Sequence, residues 1–240
     1  MKKYKEYYLN INSQFDKIIE ETLNEKNIMI HARLSNFIDD YLKWTNFLKD
    51  RYEVSIYLEA LSEYRAMLLF GVMGMYKYAF MALRGYFELT LFGIKLSTNE
   101  FDFKLWRSEN LDVSWKQIMD EEKGLFSKKY VEAFQEVFWQ DALGMKQLAK
   151  VAYRECSEHI HSNYDAIAVL SGKIGFNEEV YEKLINQAES INQVIMYSFL
   201  VRYLEELIKK SELVDFEDCI VDSIGYLRGV QEIYKGDQNK

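Results

Sequence analysis

The segment with the highest density of reactive side chains runs from residue 153 to residue 163, with the sequence YRECSEHIHSN. It holds two of the three histidines, one of the two cysteines, and Arg154. A histidine, with an ordinary pKa of about 6.5, can accept or donate a proton near neutral pH. An arginine keeps its charge and presents a planar fork of N–H groups that matches a phosphate. Arg154, His159 and His161 therefore predict proton transfer beside a bound anion.

The two histidines are predicted to lie on opposite faces of the helix that carries them. At about 100° per residue, Arg154 and His161 are seven positions apart and fall within about 20° of each other. The polar side that they share also holds Gln147, Lys150, Ser157 and Glu158. The opposite, apolar side holds Met145, Leu148, Ala149, Ala152, Cys156 and His159. We therefore expect His161 to face outward and His159 to face inward.

The composition indicates a single all-α domain over residues 1–240. The chain is 49% apolar and has no proline, and its apolar residues recur mostly at spacings of three and four. This pattern predicts a bundle of long helices joined by short polar connections. Two cysteines are too few for a disulfide framework, and the first residues lack the apolar core of a signal peptide, so we expect a cytoplasmic location. Because the net charge is −8, any contact with nucleic acid must use a local basic patch.

The first half of the chain is predicted to form long helices. Residues 4–25 and 28–49 read as two amphipathic helices. The most apolar region, residues 53–97, reads as a helix that continues or kinks near Gly71 and Gly74.

In the second half of the chain, candidate capping residues predict where the helices begin. Residues 99–103 look extended, and the capping-box spacing of residues 114–117 predicts a short helix. Ser127 is expected to cap a helix that runs to Trp139, and Asp141 to cap the helix of the reactive segment, which ends near residues 162–163.

The last third of the chain is predicted to contain two helices. Asn177 can cap a long helix to about Lys210, and a last helix covers about residues 216–234. The residues expected to face inward on the long helix are Leu184, Ile191, Ile195, Phe199 and Leu207.

A polar seam crosses the most apolar region. From Leu68 to Leu96 the charged residues are Lys77, Arg84, Glu88 and Lys95, and their spacing places them in one line along a helix. Since the surroundings are apolar, we expect Arg84 and Glu88 to be largely buried against the helix of the reactive segment, with Glu88 bonded to Arg154 or to a histidine. The recurring charges argue against a membrane span.

Three other kinds of site are not favoured, so we expect no metal and no cofactor. Glu158 and His161 have the spacing of a di-iron helix, but no second Glu-x-x-His exists in the chain. Cys156 and His159 could act as nucleophile and base, but both lie on the apolar stripe, where a buried thiol is inert. Residues 172–175 are too short for a phosphate-binding loop.

The sequence resembles the HEPN family (higher eukaryote and prokaryote nucleotide-binding). The family's shared mark is an arginine followed after four to six residues by a histidine near a helix end, and Arg154 matches it with His159 or with His161. The LRGYFE helix at residues 83–88, followed by YRECS at 153–157, is similar to an early Arg-and-Glu helix packed beside the motif helix. The resemblance covers roughly residues 60–165 and implies a HEPN-like core of about 53–210 with extra N- and C-terminal helices.

The resemblance implies a metal-independent endoribonuclease or RNA-binding effector of a bacterial toxin or antiviral defence system. Such proteins act as homodimers whose two motifs meet in one cleft, sometimes with a protein partner from the same system. Arg154 would hold the phosphate and His161, or else His159, would transfer protons. The residues expected to support this site are Arg84, Glu88, Ser157 and Glu158, and those expected to contact RNA are Lys77 and Lys150.

The same residues also fit a second class of function. A tyrosine-rich, acidic helical protein could instead be a non-catalytic interaction or regulatory subunit. A basic cleft shared by Lys77, Arg84, Lys150 and Arg154 would favour RNA, and scattered positions would favour the interaction protein.

Overall fold

The computed structural model describes residues 2–160 and 174–236, and all regular secondary structure in these ranges is helical. The helices are α1 (Lys2–Thr22), α2 (Asn27–Phe47), α3 (Val54–Val72), α4 (Tyr76–Leu96), α5 (Glu100–Arg107), α6 (Trp115–Ile118), α7 (Lys128–Gln135), α8 (Trp139–Ile160), α9 (Glu178–Lys209), α10 (Glu217–Ile224) and α11 (Arg228–Gly236). Short 3₁₀ turns lie at Glu136–Phe138 and Val214–Phe216. The prediction of an all-α helical bundle is confirmed.

The core lies where α4 and α9 pack against α2, α3 and α8. The 32-residue helix α9 begins after Asn177, whose side chain accepts a hydrogen bond from the Val180 amide at 3.1 Å, as predicted for a cap. The five residues predicted to face inward on α9 are all buried. Trp44 of α2 is fully buried and stacks on Phe199, with ring centroids 5.2 Å apart.

The region predicted as one continuing or kinked helix is instead a hairpin of α3 and α4. Gly74 has a φ of +69°, a left-handed conformation that ends α3 and turns the chain back along itself. The turn also lies against Gly175, because a Cβ at Gly74 would meet the Gly175 carbonyl oxygen at 2.5 Å.

Several cap predictions hold at the residue level. The break between α1 and α2 falls at residues 23–26, where the two amphipathic helices were predicted to separate. Ser114 and Gln117 form the complete capping box at the start of α6. Ser127 caps α7 through the Tyr130 amide, although α7 ends at Gln135 rather than at Trp139 because Gln135 leaves helical geometry, with φ −155° and ψ 87°.

Two local predictions are wrong. Residues 99–103 are not extended, because the Asn99 side chain accepts from the amides of Phe101 and Asp102 and so begins α5. Asp141 does not cap α8. Its carboxylate accepts from the amides of Arg228 (3.2 Å) and Gly229 (2.9 Å), and so caps α11 from a distant part of the chain. This cap also explains why the predicted last helix, 216–234, is divided into α10 and α11.

No helix within residues 2–160 and 174–236 combines the length and apolar character needed to cross a bilayer.

Candidate functional site on α8

The outward face of α8 matches the helical-wheel prediction along most of its length. The residues predicted to face outward and found exposed are Gln147, Lys150, Arg154 and Glu158, and those predicted to face inward and found buried are Met145, Ala149, Ala152 and Cys156. The Arg154 side chain is 68% exposed. The backbone of His159 belongs to α8, but its side chain, like the whole of His161, lies outside the described residues.

The side chains that neighbour Arg154 in the α8 sequence already have partners, either within α8 or on α9. The Arg154 Nε lies 3.6 Å from a carboxylate oxygen of Glu158, one turn further on. The Ser157 hydroxyl donates to the Tyr153 carbonyl at 2.7 Å. Glu155, on the other side, accepts a hydrogen bond from Gln187 of α9. The end of α8 is thus tied to α9, while the Arg154 guanidinium faces open solvent.

Arg84 and Glu88 of α4 reach α8 at Tyr153, not at Arg154. Arg84 Nη2 donates to the Tyr153 phenol oxygen at 2.6 Å and lies 3.1 Å from a Glu88 carboxylate oxygen. The side chains of Arg84 and Glu88 are 22% and 25% exposed, so both are largely buried against this part of the bundle, as predicted. The expected bond from Glu88 to Arg154 is therefore replaced by a Glu88–Arg84–Tyr153 chain.

Tyr153 lies between a cation and an indole ring. The Arg84 guanidinium carbon is 4.7 Å from the centre of the Tyr153 ring, and Trp115 stacks on that ring at 3.9 Å with an interplanar angle of 8°. Trp115 in turn packs against Phe87 of α4. Burial and the nearby Glu88 carboxylate raise the pKa of the Tyr153 phenol, so it stays protonated at neutral pH. These contacts fix the rotation of α8, and with it the outward direction of Arg154.

The four cations whose placement was expected to distinguish RNA binding from protein interaction, Lys77, Arg84, Lys150 and Arg154, lie along two antiparallel helices. Lys95, at the end of α4, donates to the Lys123 carbonyl, and Lys146, early in α8, pairs with Glu121 of the same loop, whereas Arg84 meets Tyr153 late in α8. Contacts therefore run in opposite order along the two helices. Lys77, an exposed residue seven positions before Arg84, must lie toward the end of α8 that carries His159.

Most of these cations have a carboxylate close by. Glu121 lies 2.8 Å from Lys146 and 3.9 Å from Lys150, in addition to the pairs that Arg84 and Arg154 make with Glu88 and Glu158. Three of the four cations considered for a basic cleft, namely Arg84, Lys150 and Arg154, therefore carry a neutralising partner.

The described residues do not favour nucleophilic chemistry at Cys156 or a metal site. Cys156 is completely buried, and burial raises the pKa of its thiol to about 12, so it stays protonated and inaccessible. No group of three or more His, Cys, Asp or Glu side chains in the part of the chain that the structure describes is arranged to hold a metal ion.

Sequence reasoning missed two features of this region. Lys146 is buried and pairs with Glu121 at 2.8 Å, whereas Leu143 is 75% exposed, the reverse of what their types suggest. The stack of Trp115 on Tyr153 joins residues 38 positions apart and has no local sequence signal beyond the presence of Trp115 in a short capped helix.

Two surface cavities of about 600 and 470 Å³ lie elsewhere, between α2, α9 and the C-terminal region. The residues that line them include Lys43, Lys49 and Lys210 in the first and Arg33, Asp40 and Asp222 in the second, and none of the lining residues lies on α4 or α8.

In comparisons with known proteins, no family model, no curated protein and no solved structure matches this chain.

Proposed function

We propose that the protein is a HEPN-like, metal-independent endoribonuclease that acts as a toxin or antiviral effector in bacteria. The observation that carries the proposal is the placement of Arg154. Its guanidinium is 68% exposed on the polar face of α8, and His159 and His161 follow it by five and seven residues in the sequence. A permanently charged fork beside a titratable imidazole is the pair that phosphodiester cleavage by an internal hydroxyl requires.

In the proposed reaction the 2′-hydroxyl of the RNA attacks the adjacent phosphorus. A histidine takes the hydroxyl proton as the new O2′–P bond forms, and Arg154 stabilises the additional negative charge on the phosphate oxygens. The P–O5′ bond then breaks, the O5′ leaving group takes the proton from the protonated histidine, and a 2′,3′-cyclic phosphate remains. We assign the proton transfer to His161, because it shares the face of Arg154 on the extended helical wheel.

The contacts of α4 give this site a rigid support. Arg84, Glu88 and Trp115 hold Tyr153, which precedes Arg154 in the chain, so they position Arg154 without touching the substrate. In this proposal Lys77 and Lys150 contact the flanking phosphates. One chain offers a single Arg154 and a single outward histidine, so the proposal includes a two-fold dimer that brings two motifs around one cleft.

The test compares wild-type protein with single-residue variants, following growth of the expressing cells and the integrity of total RNA. We expect His161→Ala to abolish cleavage and toxicity while shifting the stability by less than about 0.5 kcal/mol, as for an exposed side chain. Arg154→Lys should be nearly as damaging as Arg154→Ala, since an ammonium cannot reproduce the two-pronged hold on a phosphate. The matched control is Arg65→Ala, which removes an exposed arginine from α3.

The same experiment should distinguish the roles of the two histidines. His159→Ala is expected to lower the stability by about 1–3 kcal/mol through a cavity and a lost hydrogen bond, with residual activity. If His159→Ala instead removes activity from a fully stable protein while His161→Ala has no effect, then Arg154 and His159, with four residues between them, are the working pair. Intact RNA and normal growth with the wild type would refute the proposed activity.

The second candidate is a non-catalytic interaction or regulatory subunit. It is favoured by the carboxylates that accompany Arg84, Lys150 and Arg154, together with the net charge of −8. For this function, Arg154→Ala and His161→Ala would both leave RNA unaffected.

A further inference from the structure

The first turns of α4 expose an aromatic ring beside a cation. Tyr78 is 52% exposed and Met81 is 44% exposed. These two residues are one turn apart and about 60° apart on a helical wheel, so their side chains form one apolar surface. Lys77, the residue before Tyr78, is exposed as well.

Phe70 of α3 supports the Tyr78 ring. The two ring centroids are 6.0 Å apart, with an interplanar angle of 52°. Phe70 is half-buried and packs on the hydrophobic core. Because Phe70 already restricts the Tyr78 ring, a second flat ring can stack on Tyr78 at a reduced cost in side-chain entropy.

Lys77 differs from the other cations near α8 because its charge is not neutralised. Arg84, Lys150 and Arg154 each have a carboxylate oxygen nearby, at 3.1, 3.9 and 3.6 Å. Among the residues that the structure describes, no carboxylate forms an ion pair with Lys77. An anionic group that approaches Tyr78 therefore meets an available ammonium group one residue away.

This surface adjoins the face of α8 that carries Arg154. The helices α4 and α8 are antiparallel, and Arg84 contacts Tyr153, the residue before Arg154. Lys77 and Arg84 are seven residues apart and so share one side of α4. Tyr78 lies six residues before Arg84, roughly 9 Å along the helix axis, and is turned from that side toward α3.

We propose that Tyr78 is a base-stacking residue for RNA, and that Lys77 contacts a phosphate next to the stacked base. The inference rests on the proposed function, since it takes the strand to run from Arg154 across α4. Every base has a π-face, so stacking on a tyrosine tolerates any sequence. Met81 borders the ring and extends the apolar surface beneath the base.

Stacking gives this acidic chain a way to hold RNA that does not depend on charge. The net charge is −8, which opposes binding to a polyanion. A stacked base releases no counterions, so it adds affinity without adding to the salt dependence. Removing one aromatic stacking partner weakens binding by about 5- to 150-fold.

The test measures binding of a fluorescent 2′-O-methyl RNA strand of mixed sequence by fluorescence anisotropy. The methyl group removes the attacking hydroxyl, so the strand is bound but not cleaved. Tyr78→Leu keeps an apolar side chain against Phe70 but has no π-face, and should weaken binding at least about fivefold. Tyr78→Phe keeps the ring and should bind within about twofold of the wild type.

Three controls separate stacking from other effects of the substitution. Tyr226→Leu changes a tyrosine that is 58% exposed between α10 and α11, and should leave the affinity unchanged. Lys77→Gln should lower the slope of log K against log salt by about 0.7, whereas Tyr78→Leu should leave this slope unchanged. A strand of the same length without bases should bind equally to the wild type and to Tyr78→Leu, because it has nothing to stack.

Equal binding of the mixed-sequence strand by the wild type and Tyr78→Leu would overturn the inference, as would a Tyr78→Leu defect that persists with the strand without bases. If the wild type nevertheless degrades RNA, the proposed function stands and only the stacking role is lost. No saturable binding of the strand to the wild type would also overturn the inference. Intact RNA in the expressing cells would then refute the proposed function too, and a protein partner would become the expected occupant of this surface.

Discussion

At the scale of single residues, the state of Arg154 decides whether α8 can bind a phosphate. Its pair with Glu158 joins two side chains that are 68% and 54% exposed, at 3.6 Å. Exposed ion pairs of this type contribute only about 0–1 kcal/mol, so a phosphate can displace Glu158 at small cost. The carboxylate still competes with the substrate and adds repulsion near it.

Removing this competitor should therefore strengthen the site. We expect Glu158→Gln to raise affinity for a short single-stranded RNA by a few-fold, which corresponds to roughly 0.5–1 kcal/mol, because the guanidinium is freed and one negative charge is lost. Fluorescence anisotropy at constant salt measures the change.

The matched control for Glu158→Gln is Glu179→Gln on α9. Glu179 also forms an exposed pair with a cation one turn away, Lys183, at 2.7 Å. If both variants improve RNA binding equally, the gain reflects overall charge and not Arg154.

The described part of the site shows which residue positions a sequence can predict. The exposure of Lys150, Arg154 and Glu158 follows from 100° per residue and needs no knowledge of neighbours. The stack of Trp115 on Tyr153 depends on how α6 docks against α8, which is a tertiary choice that no local spacing records. For the same reason, the sequence predicted that Arg84 would approach α8 but did not predict that Arg84 would donate its hydrogen bond to Tyr153.

At the scale of helices, local capping chemistry was predictable and long-range capping was not. The Asn177 cap and the box at Ser114 use side chains within three residues of the amides they satisfy, so the sequence shows both partners. Asp141 caps amides 87 and 88 positions away, and only the packing of α11 on α8 reveals them. The presence of Gly74 predicted an irregularity in the helix. The positive φ of Gly74 and the resulting hairpin come from the packing of α3 on α4.

The α3–α4 hairpin should therefore be sensitive to a methyl group at Gly74. Gly74→Ala is expected to lower the free energy of unfolding by at least about 1–2 kcal/mol, because an L-residue resists positive φ and the new Cβ would meet the Gly175 carbonyl oxygen. Urea denaturation followed by circular dichroism measures the loss.

Gly144 supplies the matched control for this substitution. It lies exposed within α8, and a Cβ there would meet nothing within 4 Å. Gly144→Ala should raise the stability by up to about 1 kcal/mol, since alanine has the higher helix propensity. Equal effects of the two substitutions would contradict the role given to the turn.

At the scale of the whole molecule, the charge distribution limits how RNA could be held. The net charge is −8, and most of the cations near α8 carry a carboxylate partner. Binding cannot rest on a broad electrostatic field, so it must rest on a few specific phosphate contacts.

This limit predicts a shallow salt dependence. Each phosphate contact on a single strand contributes about 0.7 to the slope of log K against log salt, so the three cations Lys77, Lys150 and Arg154 predict a slope of magnitude about 2 for a strand bound to one chain. Lys150→Gln should lower this slope by about 0.7–1 and weaken binding similarly for all RNA sequences, whereas Lys209→Gln, at the far end of α9, should change neither. Anisotropy titrations over a range of salt concentrations provide the measurement. A slope well above 6, or a slope that Lys150→Gln does not change, would place the RNA on a different surface. The absence of saturable RNA binding would favour the interaction protein, because such a protein needs no phosphate contacts at α8.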